Sequence, residues 1–497
     1  MRAMGLAISQ NHFDPADYQA FMEKTRRCLT VLRQLLAQPG FGDGPASLGA
    51  EVEFYLVNPE GLVQPINTEL GERVPDPLLT MELNRFNLEY NLSPQPFAGT
   101  PFTAFEAELQ AATAAINRAA RPLAGELVTI GILPTLERSD FGPQSMTDLP
   151  RYHVMAEALR NLRGDPFHIH IGGPEPLDLY MDDVTLEGAN TSYQLHWRVP
   201  VAEFANYYNA VQLATPIVLA LSANSPGLFQ HRLWDETRIA LFKQSIDSRT
   251  HIDKAWHLPP RVYFGNGWLR HAGDAFASSV ALYQPIIPQT SEEEPEAVLA
   301  AGCVPELAEL KLHHGTTWPW NRVVYDHHDG GHLRIEMRAL PSGPTPMDMN
   351  AGGLFLVGAA LSLVESMAEI TAFMPFAYAE HNFYRAAKFG LQAELIWPDP
   401  SGCQLREYPL LEIAERLLPQ ARQALSATAM AEAEVARLLG LIEGRIANRI
   451  TGARWQTAVV ERLSRQASGP EAHRQMLAHY IANSQSGKPL HEWTLPL

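Results

Sequence analysis

The chain has 497 residues, 46% hydrophobic and 19% charged, a composition that excludes a disordered chain and allows a large core. At about 150 residues per domain the length corresponds to roughly three domains, although large enzymes often fold as one unit. Thirty-eight Lys and Arg against 55 Asp and Glu give a net charge of −17, the opposite of the basic field a nucleic-acid binder carries.

Residues 1–17 show no basic start followed by an apolar stretch, so no signal peptide is expected. Only three cysteines occur, Cys28, Cys303 and Cys403, far apart and without a CxxC. They point to a reducing, cytoplasmic setting and are expected to be buried apolar residues. Periodicity predicts a helix over 18–38, a strand over 47–57 and a turn at 58–61. An irregular extended segment over 82–92, an Ala-rich helix over 101–121 and a strand over 127–133 follow. Next come a helix over 149–162, a strand over 166–172 and a helix over 201–220 interrupted near Pro216. Residues 290–296 (TSEEEPE) read as an exposed loop, 333–340 as a strand, and 347–374 as a long apolar helix. Its longest apolar run, 351–364, is about 14 residues where a membrane span needs about 20, so a buried helix is expected and no membrane partner. Beyond 380 only helices are expected, over 386–394, 410–439, 453–466 and 471–483. Mixed strands and helices followed by helices alone read as α+β.

Side chains alternate across a strand, so residues at i and i+2 share a face. In the segment Gly49 to Phe54, Glu51 and Glu53 oppose Ala50, Val52 and Phe54. From Phe167 to Ile171, His168 and His170 oppose Ile169 and Ile171. From Leu333 to Ala339, Arg334, Glu336 and Arg338 oppose Leu333, Ile335 and Met337. Any one of these could be a solvated sheet face. Taken together, Glu pairs, a His pair and a Glu between two Arg are the side chains that bind hard cations and phosphates. Neighbouring like charges repel, which a divalent cation between Glu51 and Glu53 would relieve. ATP with Mg2+ supplies both the anion and the cation that such faces suit.

These segments resemble the glutamate-cysteine ligase family of the bacterial carboxylate-amine ligase type, within the glutamine synthetase-like superfamily. The segments from Leu221 to Pro226 and from Asn382 to Leu391 add to the resemblance, which spans roughly residues 47 to 395. It implies a curved antiparallel sheet forming an active-site funnel, backed by helices, with two or three Mg2+ or Mn2+ ions inside. It implies a catalytic domain over 1–395 and a helical C-terminal extension over 396–497 packed on it. It assigns metal ligation to Glu51, Glu53, Glu82, Glu89, His168 and Glu336, and a place near the nucleotide to His170. Arg338 would face the transferred phosphate or the substrate, Arg322 would contact phosphate, and Arg334 is a further candidate. Glu82 and Glu89 are seven apart and would fall on opposite faces of a regular strand, so a bulge or loop must intervene. Segments 265–267 and 326–329 match no assigned role.

The implied reaction is ATP-dependent: a carboxylate, the γ-carboxylate of glutamate, is phosphorylated, and cysteine or another amine then displaces phosphate to give an amide, with ADP released. This implies a part in glutathione biosynthesis. The chain contains no GxxxxGK[ST], which disfavours a P-loop enzyme. One alternative is a cupin-like oxygenase or isomerase using His168, His170 and Glu175, whose spacing suits an iron site. The glycine expected after that Glu is missing, however, since position 182 is Asp. Another is a non-catalytic, metabolite-binding relative of the ligases. Segment 313–332 is dense in histidine (His313, His314, His327, His328, His332), expected on the surface or behind a site. Asn224, Ser225 and Pro226 are expected in the active-site wall through the resemblance. Homo-oligomerisation is left open.

Overall fold

A computed structural model describes residue 8 and residues 13–399 and 404–496. Cys403 lies outside the described residues. After helix α1 (Pro15–Leu36) comes the central strand β1 (Ser47–Val57), bounded as its alternation predicts. β2 (Leu79–Met81) and β3 (Asn87–Pro96) form a hairpin beside it. Then follow α2 (Pro101–Ala120), β4 (Glu126–Val128) and α3 (Pro150–Arg163). β5 (Phe167–Ile171) and β6 (Leu177–Met181) pair only with each other. β7 (Tyr193–Arg198), α4 (Phe204–Ser222), α5 (Ala308–Gly315), β8 (Asn321–Asp326) and β9 (His332–Met337) complete the frame.

Seven strands make one curled antiparallel sheet in the order β8-β9-β7-β1-β3-β2, with β4 pairing the far end of β1. The fold is α+β, as the order of elements implies. The convex face is apolar: Ala50, Val52, Phe54, Tyr193, Leu195, Leu333, Ile335 and Met337 are all buried. Helix α6 (Pro346–Leu363) covers it. A Cβ on Gly353 would lie 3.2 Å from the Tyr193 ring, so the missing side chain lets helix and sheet approach. The stretch Pro346–Phe373 is apolar enough to cross a bilayer, but here it lies mostly inside the protein.

The helices after 396 enclose the other side of α6. α7 (Leu410–Ser426) packs Leu425 and Ala421 against Gly358, where a Cβ would meet them at 2.7 and 3.1 Å. α8 (Glu432–Asn448) places Arg445 on Asp348 at 2.8 Å, both fully buried. Its Glu434 accepts from the backbone of Phe102 and Thr103 at the start of α2. α9 (Gly452–Leu463) and α10 (Gly469–Ser484) bring Gln456 and Tyr480 to Asn224. Asn224 and Ser225 are therefore structural groups, tied to Glu236 and to the C-terminal helices, and not a cavity wall.

Several local expectations fail. Where only helices are expected beyond 380, Glu394–Pro398 and Leu405–Pro409 pair as an antiparallel two-stranded ribbon. The helix expected over 410–439 is two helices, because Ala429 and Met430 pair with Ala98 and Gly99. Helix α4 runs through Pro216 unbroken: it is buried nearly all round, and that packing outweighs one lost hydrogen bond. Cys28 is buried as expected, but Cys303 is exposed.

Candidate active site

The concave face of the sheet floors a cavity of about 1050 Å³. Pairing register decides what it presents. Arg322 lies opposite Glu336 on β9, and Glu336 lies opposite His196 on β7. Glu51 sits between Gln194 and Asn91, and Glu53 lies opposite Glu89. The spacing problem of Glu82 and Glu89 is solved by the hairpin. Glu89 pairs with Thr80 on β2, and Glu82 leaves the strand just after Met81, so both reach the same cavity. Glu187, on the short 3-10 turn Thr185–Ala189, reaches the same cavity.

The hydrogen bonds sort these carboxylates into two groups. Glu336 is clamped by arginine: Arg322 donates from Nε at 2.8 Å and Nη2 at 3.0 Å, and Arg338 from Nη1 at 2.6 Å. Glu51 Oε1 lies 2.9 Å from His196 Nε2. Arg334 Nε donates to His196 Nδ1 at 3.2 Å and its Nη1 to Asp326 at 2.8 Å. Glu53 accepts from the Ser192 amide at 2.7 Å and from Gln194 at 3.0 Å. Glu89 accepts from Asn91 at 2.9 Å and Thr80 at 3.1 Å. No cation is paired with Glu53, Glu82, Glu89 or Glu187 among the described residues.

Protonation follows from that division. Burial pushes Glu53 up to about 7, with the charge of Glu82 adding to it. Burial and the charges of Glu82 and Glu53 push Glu187 up to about 8. Glu82 is raised by burial, and Glu89 well raised by burial and the charges of Glu51, Glu82 and Glu53. Burial works against the charged forms of Glu51 and Glu336 too. There His196 holds Glu51 below the ordinary carboxylate range, and Arg322 and Arg338 do the same for Glu336. An uncompensated carboxylate group of this kind is the donor set that suits hard divalent cations.

The structure brings Glu51, Glu53, Glu82, Glu89, Arg322, Arg334 and Arg338 into one cavity, with Glu336 fully buried behind Arg322 and Arg338. It does not bring His168 and His170 there. Their strand belongs to the separate β5–β6 hairpin, where Asp178 bridges them at 2.9 and 3.0 Å near the surface. The expectation that three strands share one face is corrected accordingly: the third polar face is that of β7, with Gln194, His196 and Arg198. Alternation against Tyr193, Leu195 and Trp197 is as clear there as in the other two strands, and would have found it. Glu51, His196 and Glu336 can bring ligand atoms within 4.8 Å of one another; so can His168, His170 and Asp178, and Asp326, His327 and His328.

The sequence matches glutamate-cysteine ligase family 2 over residues 47–467. The chain belongs to that family. A glutamate–cysteine ligase from Francisella tularensis, solved in complex with AMP, is similar with a TM-score of 0.55 at 11% identity, covering 92% of this chain and 91% of that one. A bifunctional glutathione synthetase from Pasteurella multocida is similar with a TM-score of 0.46 at 12% identity, over 93% of this chain and 55% of that one. The first likeness shows a shared glutamine synthetase-like fold. No curated protein gave a significant match.

As a member of this ligase family with a curled open sheet, the chain is not a cupin. Glu175, moreover, is engaged by the backbone amide of Arg232 at 2.8 Å, away from the two histidines. The histidine-rich segment divides: His313, His314 and His332 are buried, and His327 and His328 sit at the cavity rim. His314 lines the cavity with Nε2 unpartnered, and burial beside Arg322 lowers its pKa to about 3, keeping it neutral. Trp318 is a wall residue of the cavity, whereas Trp320 packs edge-on against Phe242 in the core.

Proposed function

We propose that the protein is an ATP-dependent carboxylate-amine ligase that joins the γ-carboxylate of glutamate to an amine, cysteine being the first acceptor to test. The observation that carries this is the concave face itself. Glu51, Glu53, Glu82, Glu89 and Glu187 gather with Arg322 and Arg338 in one cavity, over the buried Glu336, in a chain that belongs to the glutamate-cysteine ligase family. Glu51, His196 and Glu336 fit one divalent-cation site. Glu53, Glu82 and Glu89, with Glu187 near them, fit a second by donor type. Mg2+ or Mn2+ bound there would neutralise phosphate charge and screen the mutual repulsion of the glutamates.

The chain's own arginines have a definite task. A carboxylate oxygen of the donor attacks the γ-phosphorus of ATP and the bond to the ADP oxygen breaks. Negative charge then moves across the phosphoryl group. Arg322 and Arg338 are held by Glu336 with their planar forks beside it, positioned before the charge moves. The amine next attacks the acyl carbon, inorganic phosphate leaves, and the amine gives up a proton.

The test is an ADP-release assay with glutamate, ATP and Mg2+ or Mn2+ across a panel of amines, with product mass measured. ADP, orthophosphate and a γ-glutamyl amide are expected. AMP and pyrophosphate would mean an adenylate and overturn the acyl phosphate. Absence of turnover with every amine would favour the non-catalytic relative.

A further inference from the structure

We propose that His168, His170 and Asp178 form a Zn2+ site on the outer face of the β5–β6 hairpin, separate from the catalytic cavity, and that the ion staples the two strands together.

Alternation builds the face. Phe167, Ile169 and Ile171 of β5 and Leu177, Leu179 and Met181 of β6 are buried, so His168, His170, Asp178 and Tyr180 share the outer side. Register then gathers them. His170 lies directly opposite Asp178 and His168 opposite Tyr180, which leaves Asp178 within diagonal reach of His168. One carboxylate takes both rings: Oδ1 lies 2.9 Å from His168 Nε2, and Oδ2 lies 3.0 Å from His170 Nδ1. One ligand atom from each of the three residues falls within 4.8 Å of the other two. A tetrahedral ion with bonds of about 2.0–2.2 Å holds its ligand atoms about 3.3–3.6 Å apart, a difference that side-chain torsions can absorb.

The two histidines are already held in place. His168 stacks on Tyr180 with centroids 4.4 Å apart and planes 6° from parallel, and Gln244 accepts from the His170 backbone amide at 2.6 Å. Groups ordered in advance cost less to bring to a ligand. Arg138 touches the hairpin at the Tyr180 carbonyl and not at the carboxylate. The His170 and Asp178 side chains are exposed and that of His168 partly so, which leaves a fourth corner for water.

Donor chemistry selects the ion. Two imidazoles and a carboxylate suit Zn2+, whereas Mg2+ prefers oxygen ligands of the kind the glutamates offer. Position selects the role. β5 and β6 pair only with each other, and a two-stranded hairpin is marginally stable by itself. An ion bonded to both strands closes the pair. β5 packs on the helix Arg238–Ser245, and Ile246, just beyond that helix, lines the cavity. The staple therefore lies behind the cavity wall, and none of its three ligands is a lining residue.

The test uses the full chain, stripped of metal with a chelator and then given excess Mg2+ to compete at the carboxylate cavity. Zn2+ is titrated by calorimetry, with Co2+ as a coloured stand-in and amide exchange over residues 167–181 as the local readout. The parent is compared with His168→Gln, His170→Gln, Asp178→Asn and His328→Gln, the last a control for the group Asp326, His327 and His328. The parent should bind a Zn2+ that Mg2+ does not displace, exchange more slowly over the hairpin, and give Co2+ the visible band of a four-coordinate ion. Each of the three hairpin variants should weaken Zn2+ about 10- to 100-fold or more. His328→Gln should bind as the parent does. Asp178→Asn keeps a hydrogen-bond acceptor and loses the charge, so it separates a metal ligand from a tether. Zn2+ binding equal in the parent and the hairpin variants, or lost only in His328→Gln, overturns the site. A parent that ignores Zn2+ overturns it as well, and hairpin variants that melt lower would then mark the histidines as hydrogen-bonded tethers. Zn2+ bound without slower exchange over the hairpin overturns the staple. If the histidine variants do not fold, Asp178→Asn decides by the same criteria.

Discussion

At the scale of single residues the most informative contrast is between His196 and His168. His196 is 1% exposed, bonded to Glu51 on one side and Arg334 on the other. His168 is near the surface, stacked on Tyr180 at 4.4 Å and bonded to Asp178. His196→Ala removes a donor from the proposed cation triad and leaves Glu51 without its partner. It should raise the Mg2+ or Mn2+ concentration needed for half-maximal turnover by about 10- to 100-fold. His168→Ala should leave both turnover and metal requirement close to the parent's. The reverse pattern, a dead His168→Ala beside an active His196→Ala, would return the catalytic centre to the hairpin. Both histidines sit in His or Gln alternation patterns of the same form. Nothing in residue type distinguishes a strand in the main sheet from one in a two-stranded ribbon.

Elements were legible where their own period carried them. β1 and β9 show their two faces in the sequence because each buries one side on helices and turns the other to charged groups. Helix α6 is different: apolar residues surround it, so its sequence reports burial without saying against what. The two glycines on opposite sides answer that, Gly353 toward Tyr193 of the sheet and Gly358 toward Leu425 and Ala421 of α7. Gly358→Leu should therefore destabilise the protein by about 1–3 kcal/mol, because the added side chain must push α7 away. Urea unfolding is the measurement. A variant as stable as the parent would mean that the C-terminal helices are held elsewhere and can move off α6 without loss.

For the whole molecule the decisive property is a cavity with more carboxylates than matching cations. Glu53, Glu82, Glu89 and Glu187 have raised pKa values, so the folded chain keeps protons there that the unfolded chain releases from about 4.5 upward. Their stabilising contribution is complete below the unfolded value and is lost as pH rises through about 7 for Glu53 and about 8 for Glu187. Glu51 and Glu336 are held low and act in the opposite sense, but only below the ordinary carboxylate value, outside the range from pH 6 to 8. Metal-free protein should accordingly melt a few degrees lower at pH 8 than at pH 6, on the order expected for a small change in stability of a large chain. Mg2+ or Mn2+ should raise the melting temperature more at pH 8, where fewer protons must be displaced. A metal-induced shift that is the same at both values, or larger at pH 6, would show that the glutamate group does not take up the ions.

The sequence by itself determined the fold class, the bounds of β1, the two-faced character of β1 and β9, and the membership of the glutamates and arginines in one chemistry. Those features depend on local period and residue type, which a linear chain displays. Tertiary structure alone decided that Glu82 and Glu89 converge, because a hairpin and not a single strand joins them. It decided that His196 stands where His168 was expected, because the partner of a strand is chosen by pairing across long stretches of chain. It decided as well that Arg198 faces Arg334. Register between strands separated by more than a hundred residues sets which charges meet.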